Sequence, residues 1–320
     1  MYPRLSDIFQ DLFGFSLPFP IYSFGAMVAV AVLLAAWLTK QELDRMYAAG
    51  RVGSVKVPVE QKNGKTQRRG GKPVLREASP SALVWTIAML AIGLGVAGSK
   101  LFHILENLDQ FALDPAGMIF SSGGLTYYGG LICAGVGIAW YARSKKLQVP
   151  PLADAIAPGL MLGYGVGRIG CYLAGDGDWG VCSYLADKPG WMPDWLWSEA
   201  FVNSHLGVSA LVYENCPPGA DGVYPTMLYE FAACTLLFGL LWAVRNHRFK
   251  SGWLFSLYLV FNGVERFFIE KIRVNNTFDL FGLTVTQAEI ISVLIIVTGV
   301  VGLAFTTRAR TGDLQEAVKG

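Results

Sequence analysis

The chain has little charge. Lys, Arg, Asp and Glu together make up 16% of its 320 residues, against roughly a quarter in soluble domains. It also has few groups suited to holding a metal. Only three histidines are present, and no pair among Cys133, Cys171, Cys182, Cys216 and Cys234 has zinc-site spacing. No metal or cofactor is therefore expected. No internal repeat of useful length occurs, which argues against a transporter built from inverted halves. The opening MYPRLSDIFQDLFGFSLPFP lacks a basic start followed by an apolar stretch and a small-residue cleavage site, so the first apolar run is expected to serve as its own signal. The net charge of +2 excludes little. The basic run KNGKTQRRGGK has no other mark of a nucleic-acid site, and its Asn63-Gly64 pair predicts a small hairpin turn, so no nucleic-acid partner is expected.

What is abundant is apolar sequence. Hydrophobic residues reach 53%, and they come in blocks close to the length, about 20 residues, that a membrane helix needs. These blocks predict an all-α integral membrane protein, a single polytopic domain over residues 1–320 with about seven transmembrane helices. The spans fall near 22–39, 81–105, 128–142, 152–172, 227–244, 252–270 and 286–306. Basic residues set the orientation. The loop at 40–80 carries ten of them, from Lys40 to Arg76, and alternate loops carry Arg143, Lys145 and Lys146, then Arg245, Arg248 and Lys250, then Arg308, Arg310 and Lys319. The opposite side has only Arg4 and Lys188 well clear of the spans. The loop at 40–80 is thus expected to be cytoplasmic, the N-terminus outside and the C-terminus inside, with the basic face able to meet anionic lipid head groups. Residues 173–226 then form an outer cap rich in tryptophan and proline. Cys182 and Cys216 fall in it, where an oxidising envelope would permit a disulfide, though the sequence leaves the pairing open.

Ionisable residues inside or at the ends of apolar spans are costly unless paired or functional. Arg168 lies among Gly163, Gly165, Gly167 and Gly170, where missing side chains allow close helix approach or ligand access; an ion pair with Asp154 or Asp176 is the structural alternative. At the outer end of the sixth span, Glu265, Arg266, Glu270 and Arg273 recur at helical spacing, with Arg266 and Glu270 four apart on one face. Tyr229 and Glu230 follow Pro225 where the cap re-enters the membrane. Tyr127 and Tyr128 lie between two glycine pairs, Gly123-Gly124 and Gly129-Gly130. An arginine fork suits a phosphate bidentately and stays charged in an apolar site. These residues therefore point to a phospholipid head group bound in the outer half of a helical bundle.

In order, YSFG at 22–25, GSKLFH at 98–103, GGLTYYGG at 123–130, GRIGCYLAGDGDWG at 167–180, YPTMLYE at 224–230 and ERFFIEKIR at 265–273 resemble the bacterial prolipoprotein diacylglyceryl transferases over nearly the whole chain. The resemblance implies a multi-pass enzyme of the inner membrane whose active site faces the periplasm. It would transfer the diacylglyceryl group of phosphatidylglycerol to the lipobox cysteine of a prolipoprotein signal peptide, forming a thioether and releasing glycerol phosphate. A phospholipid-binding protein without catalysis, derived from the same family, is the alternative. The acceptor cysteine belongs to the substrate, so none of the five here need act. The resemblance implies catalytic roles for Arg168, Arg266, Tyr128 and Glu270. It places Tyr22, Arg168, Gly129, Gly130, Asp176, Tyr229, Glu230 and Arg273 around phosphatidylglycerol. Some positions depart from the family pattern. Tyr128 stands where many members have a histidine proposed as base, Phe24 where many have tyrosine, Cys171 where many have asparagine, and Tyr224 replaces a histidine.

Overall fold

The computed structural model describes residues 2–15, 20–59, 66–70, 72–121, 126–175, 179–199, 216–275, 277–280 and 282–307. It is mostly helical. The helices are α1 (Leu5–Phe13), α2 (Ser23–Ala48), α3 (Val84–Glu106), α4 (Leu108–Leu113), α5 (Pro115–Phe120), α6 (Tyr127–Ser144), α7 (Val149–Ala174), α8 (Asp194–Trp197), α9 (Thr226–Val244), α10 (Trp253–Glu270) and α11 (Gln287–Thr306). A helix occupies each of the apolar runs read from the sequence. Four stretches are long and apolar enough to cross a bilayer: Ser23–Ala48, Pro80–Glu106, Thr226–Val244 and Gln287–Thr306. Their outward faces are apolar, as Leu33 and Trp37 on α2 and Leu294, Val297 and Phe305 on α11 illustrate. Water-soluble chains rarely show such continuous apolar surface. The chain is a helical membrane protein.

Helix α2 outruns its apolar block, continuing to Ala48 through Lys40, Glu42, Asp44 and Arg45. Apolarity marks where hydrocarbon ends, whereas these residues are tolerated in a helix well beyond it. Arg45 pairs with Glu42 one turn back, which supports the extension.

The chain divides into two compact units, one from Met1–Ala35 with Ile156–Gly320 and the other Ala36–Ala155. In the second, β1 (Val55–Pro58) pairs antiparallel with β4 (Leu75–Ala78), and β2 (Arg68–Arg69) pairs with β3 (Lys72–Pro73). The described hairpin turns at Gly70, whose φ of 61° suits glycine; Asn63-Gly64 lies outside the described residues. Helices α3 and α6 pack through small residues. A Cβ on Gly129 would sit 2.6 Å from the Gly98 carbonyl oxygen, and one on Gly130 2.7 Å from that of Gly95. Such contacts let two backbones approach in a setting where lipid offers no hydrophobic drive for association. Lys100 donates to the Ser121 carbonyl at 3.0 Å and to its hydroxyl at 2.8 Å.

In the first unit, α7 lies against the start of α2, with Gly159 near Ala35, Gly163 near Ala31 and Gly170 near Met27. Helices α10 and α11 pack closely where Gly263 meets the Ser292 carbonyl and Gly299 that of Ser256. The Thr286–Glu289 capping box starts α11 by satisfying two backbone N–H groups reciprocally.

The segments between the long helices add short strands to the all-α frame. In the cap, β5 (Cys182–Ser183) pairs with β6 (Gly222–Val223), and β7 (Thr277–Leu280) forms a hairpin with β8 (Leu283–Thr286). Outside the apolar helices, backbone polar groups still need partners, and paired strands supply them. Cys182 and Cys216 form a disulfide with Cα atoms 5.7 Å apart. Trp179 is buried against Tyr172, and Trp197 meets Tyr224 edge-on at 5.1 Å while donating from Nε1 to the Tyr184 carbonyl. Burial, with the Asp187 carboxylate, raises the Tyr224 phenol above its ordinary range. The disulfide closes a loop spanning a separation of 34 residues. Replacing both cysteines with serine should thus cost the cap about 4 kcal/mol on a chain-entropy basis. Thermal unfolding and limited proteolysis, with and without reductant, measure this.

Candidate active site

The site is built around one buried carboxylate. Pro225 precedes the first residue of α9, a position where its missing N–H costs nothing, and the first turns of α9 bury Thr226, Met227 and Glu230. Tyr229, one residue before Glu230, donates its hydroxyl to the Leu196 carbonyl at 2.6 Å and so ties α9 to the cap. Glu230 is fully buried.

Helix α7 supplies Tyr164 and Arg168, four residues apart and hence on one face. The Tyr164 hydroxyl donates to Glu230 Oε2 at 3.1 Å and accepts from Arg168 Nη2 at 3.0 Å. Arg168 Nε makes an ion pair with the same Glu230 oxygen. Close helix approach makes this geometry possible: a Cβ on Gly165 would lie 2.8 Å from the Cys234 Cβ of α9. The Gly165→Ala variant is therefore expected to push the two helices apart, costing about 1–3 kcal/mol by overpacking and loosening Arg168 from Glu230. Unfolding midpoint and activity together check it; an unchanged pair would show that the contact relaxes freely.

Helix α10 brings Arg266 and Glu270, with Arg266 Nη2 2.8 Å from Glu270 Oε2. Asn275 Nδ2 donates to the other Glu270 oxygen at 2.6 Å, fixing the carboxylate's orientation. Arg266 Nη1 stands 3.7 Å from Glu230 Oε1, and Arg273 Nη1 lies 3.4 Å from it. Arg273 follows the helix end, where its backbone is bridged to Gly180 and Val181 donates to the Ile272 carbonyl. A Cβ at Gly180 would clash with that carbonyl at 2.9 Å, so the bridge requires glycine.

Arg168, Arg266 and Arg273 thus converge on Glu230. Ion pairs removed from water are sustained only where geometry and further hydrogen bonds offset the desolvation. Tyr164 and Asn275 supply hydrogen bonds, and Glu270 adds an ion pair to Arg266. The side chain of Arg266 stays 24% exposed and that of Arg168 14%. Arg266 Nη1 is buried yet donates no hydrogen bond within the described residues. An unfilled guanidinium donor beside buried charge is suited to an anionic oxygen.

The residues singled out from sequence do not all come together. Arg168, Glu230, Arg266, Glu270 and Arg273 come together, with Glu230 at the centre and Arg168 paired to it. Tyr229 neighbours them but turns its hydroxyl to the cap, and Tyr22, bridged to Arg4 at the start of α2, has an exposed ring. Tyr128, half-buried in the first turn of α6, belongs to the other unit with Gly129 and Gly130, which abut α3. Asp176 lies outside the described residues. Sequence reading missed Tyr164 and Asn275. Tyr164 has a signal, four residues before Arg168 on the same helix; Asn275 has none, because a loop places it.

A family model described as prolipoprotein diacylglyceryl transferase matches residues 64–305. Among similar proteins, one from Dehalococcoides mccartyi is 32% identical over 68% of this chain and 74% of its own. One from Corynebacterium efficiens is 26% identical over 89% of this chain and 77% of its own. One from Clostridium tetani is 27% identical over 92% and 96%. Each is named phosphatidylglycerol–prolipoprotein diacylglyceryl transferase.

Proposed function

The chain belongs to the prolipoprotein diacylglyceryl transferase family, and we propose that it transfers the diacylglyceryl group of phosphatidylglycerol to the lipobox cysteine thiol of prolipoproteins. The sulfur attacks a glyceryl carbon, the carbon–oxygen bond to phosphate breaks, and glycerol phosphate leaves. The observation that carries this reading is the buried, unfilled Nη1 of Arg266 beside the Glu230 cluster.

Negative charge grows on the phosphate as it departs. Donors already fixed in a water-poor site stabilise that charge without reorganising, the term that dominates many enzymes. Arg266 takes the leaving phosphate, held in its rotamer by Glu270, which Asn275 in turn orients. Arg168 and Arg273 form the charge frame around Glu230, with Arg168 presenting its exposed edge to the head group. For Tyr128 toward phosphate, and for Tyr22, Gly129, Gly130, Asp176 and Tyr229 toward the lipid, the support is the family resemblance of their motifs and not a contact in the structure.

In this reading all seven apolar helices cross the bacterial inner membrane. The N-terminus and the disulfide-bonded cap lie on the periplasmic side, and the basic loop at 40–80 lies in the cytoplasm. The asymmetry of lysine and arginine supports that orientation, as does the Cys182–Cys216 bond, which an oxidising compartment favours.

The test supplies purified protein with phosphatidylglycerol vesicles and a lipobox peptide, and follows the peptide by mass spectrometry. A diacylglyceryl adduct, with glycerol phosphate released in equal amount, is expected. Absence of adduct where a Corynebacterium relative produces one would sink the proposal.

A further inference from the structure

One buried carboxylate in α10 makes no hydrogen bond within the network above. Glu265 is 8% exposed, and neither carboxylate oxygen has a hydrogen-bond partner in the protein among the described residues. Burying a carboxylate without a donor is expensive, so buried polar groups of this kind call for an explanation. Its position gives one. Glu265 belongs to the wall of an apolar groove of about 550 Å³ between α9 and α10, with Tyr229, Ala233, Leu237, Val264 and Phe268. Its electrostatic neighbours are Tyr164 and Arg168 on α7, Glu230 and Cys234 on α9, Arg266 on its own helix, and Arg273 beyond it.

Resting on the transferase reading, we infer that Glu265 is the group that removes the proton from the acceptor thiol. The reaction needs such a group, because the thiolate and not the thiol is the nucleophile. The other carboxylates of the site are engaged: Glu230 by Tyr164 and the arginines, Glu270 by Arg266 and Asn275. Among the described carboxylates of the site, Glu265 alone has neither oxygen hydrogen-bonded, and the residue forms part of the wall of an apolar groove that suits an apolar peptide segment bearing a single thiol. In the step, the S–H proton passes to a Glu265 oxygen and the sulfur pair forms the S–C bond. The C–O bond to phosphate breaks, and its electrons leave on glycerol phosphate. That product or water then takes the proton from Glu265. Its neighbour in sequence, Arg266, meets the charge on the leaving group, so adjacent residues of one helix serve the two ends of the displacement.

The test compares two acceptor peptides, one with the lipobox cysteine and one with selenocysteine, whose selenol is already ionised at neutral pH and needs no base. Wild-type protein in phosphatidylglycerol vesicles should modify both. Glu265→Gln should lose on the order of 10²–10⁴-fold in kcat with cysteine, the scale of general-base catalysis, and come within a few-fold of wild type with selenocysteine. Its KM for phosphatidylglycerol should not move, and its remaining rate on cysteine should climb with pH as the free thiol ionises. Equal losses on the two acceptors, or wild-type turnover on cysteine, would overturn the role. If Glu265→Gln does not accumulate folded, wild type decides alone. A cysteine-to-selenocysteine rate ratio that follows free-thiol ionisation across pH overturns the proposal, and one that is independent of it supports the proposal. Wild-type protein that modifies neither acceptor overturns the transferase reading itself, an outcome distinct from loss on cysteine only.

Discussion

Replacing Glu230 with glutamine should cost about 3–5 kcal/mol of stability, because it leaves buried guanidinium groups without their shared counter-charge. Glu230 is fully buried and faces Arg168, Arg266 and Arg273, which reach it from α7, α10 and the segment beyond α10. Glutamine keeps the volume and can still hydrogen-bond Tyr164, so the loss reports charge and not packing. Unfolding of purified protein in detergent, followed by circular dichroism, measures it. Transfer should fall as well, since Arg168 and Arg266 lose the anchor that sets their spacing. An unfolding curve that coincides with wild type would show that water or lipid already neutralises the arginines and that Glu230 is not the hub.

Arg266→Lys should behave in the opposite way, folding normally and losing on the order of 10²–10³-fold in transfer. Lysine can keep the pairing with Glu270 one turn away, and the position is the most exposed of the three arginines. What lysine cannot reproduce is the planar fork, which here directs Nη2 to Glu270 and leaves Nη1 for a ligand oxygen. The loss should appear in kcat with KM for phosphatidylglycerol little changed, the mark of an interaction made in the transition state. Single-turnover rates and unfolding midpoints of wild type and variant separate the two effects. Full activity in the lysine variant would take Arg266 out of the mechanism. Together the variants divide the cluster between a residue that holds the site and a residue that uses it.

The sequence by itself determined where the helices lie and which charges stand out against apolar surroundings. Hydrophobic runs of membrane length leave a chain few alternatives, since every backbone polar group in hydrocarbon must be satisfied within its own helix. Charged residues stand out against such runs, so Arg168, Glu230, Arg266, Glu270 and Arg273 were legible. The four-residue spacing of Arg266 and Glu270 even fixed their pairing, because one helix carries both. Helix ends were less legible, as the charged continuation of α2 shows.

Only the tertiary structure decided how those charges are shared. Arg168 pairs with Glu230, a carboxylate of α9 that lies more than sixty residues further along the chain. That choice depends on Gly165 letting α7 approach α9, a contact between helices far apart in the chain. Asn275 enters through the turn after α10, and the Cys182–Cys216 bond joins residues 34 apart in the chain; neither distance is set by sequence spacing. Glu265 shows the difference most plainly. In the sequence it is one more charge beside Arg266, and a surface ion pair would explain it. Helix packing removes it from water while giving its oxygens no donor among the described residues, because helical geometry points residues 265 and 266 in different directions.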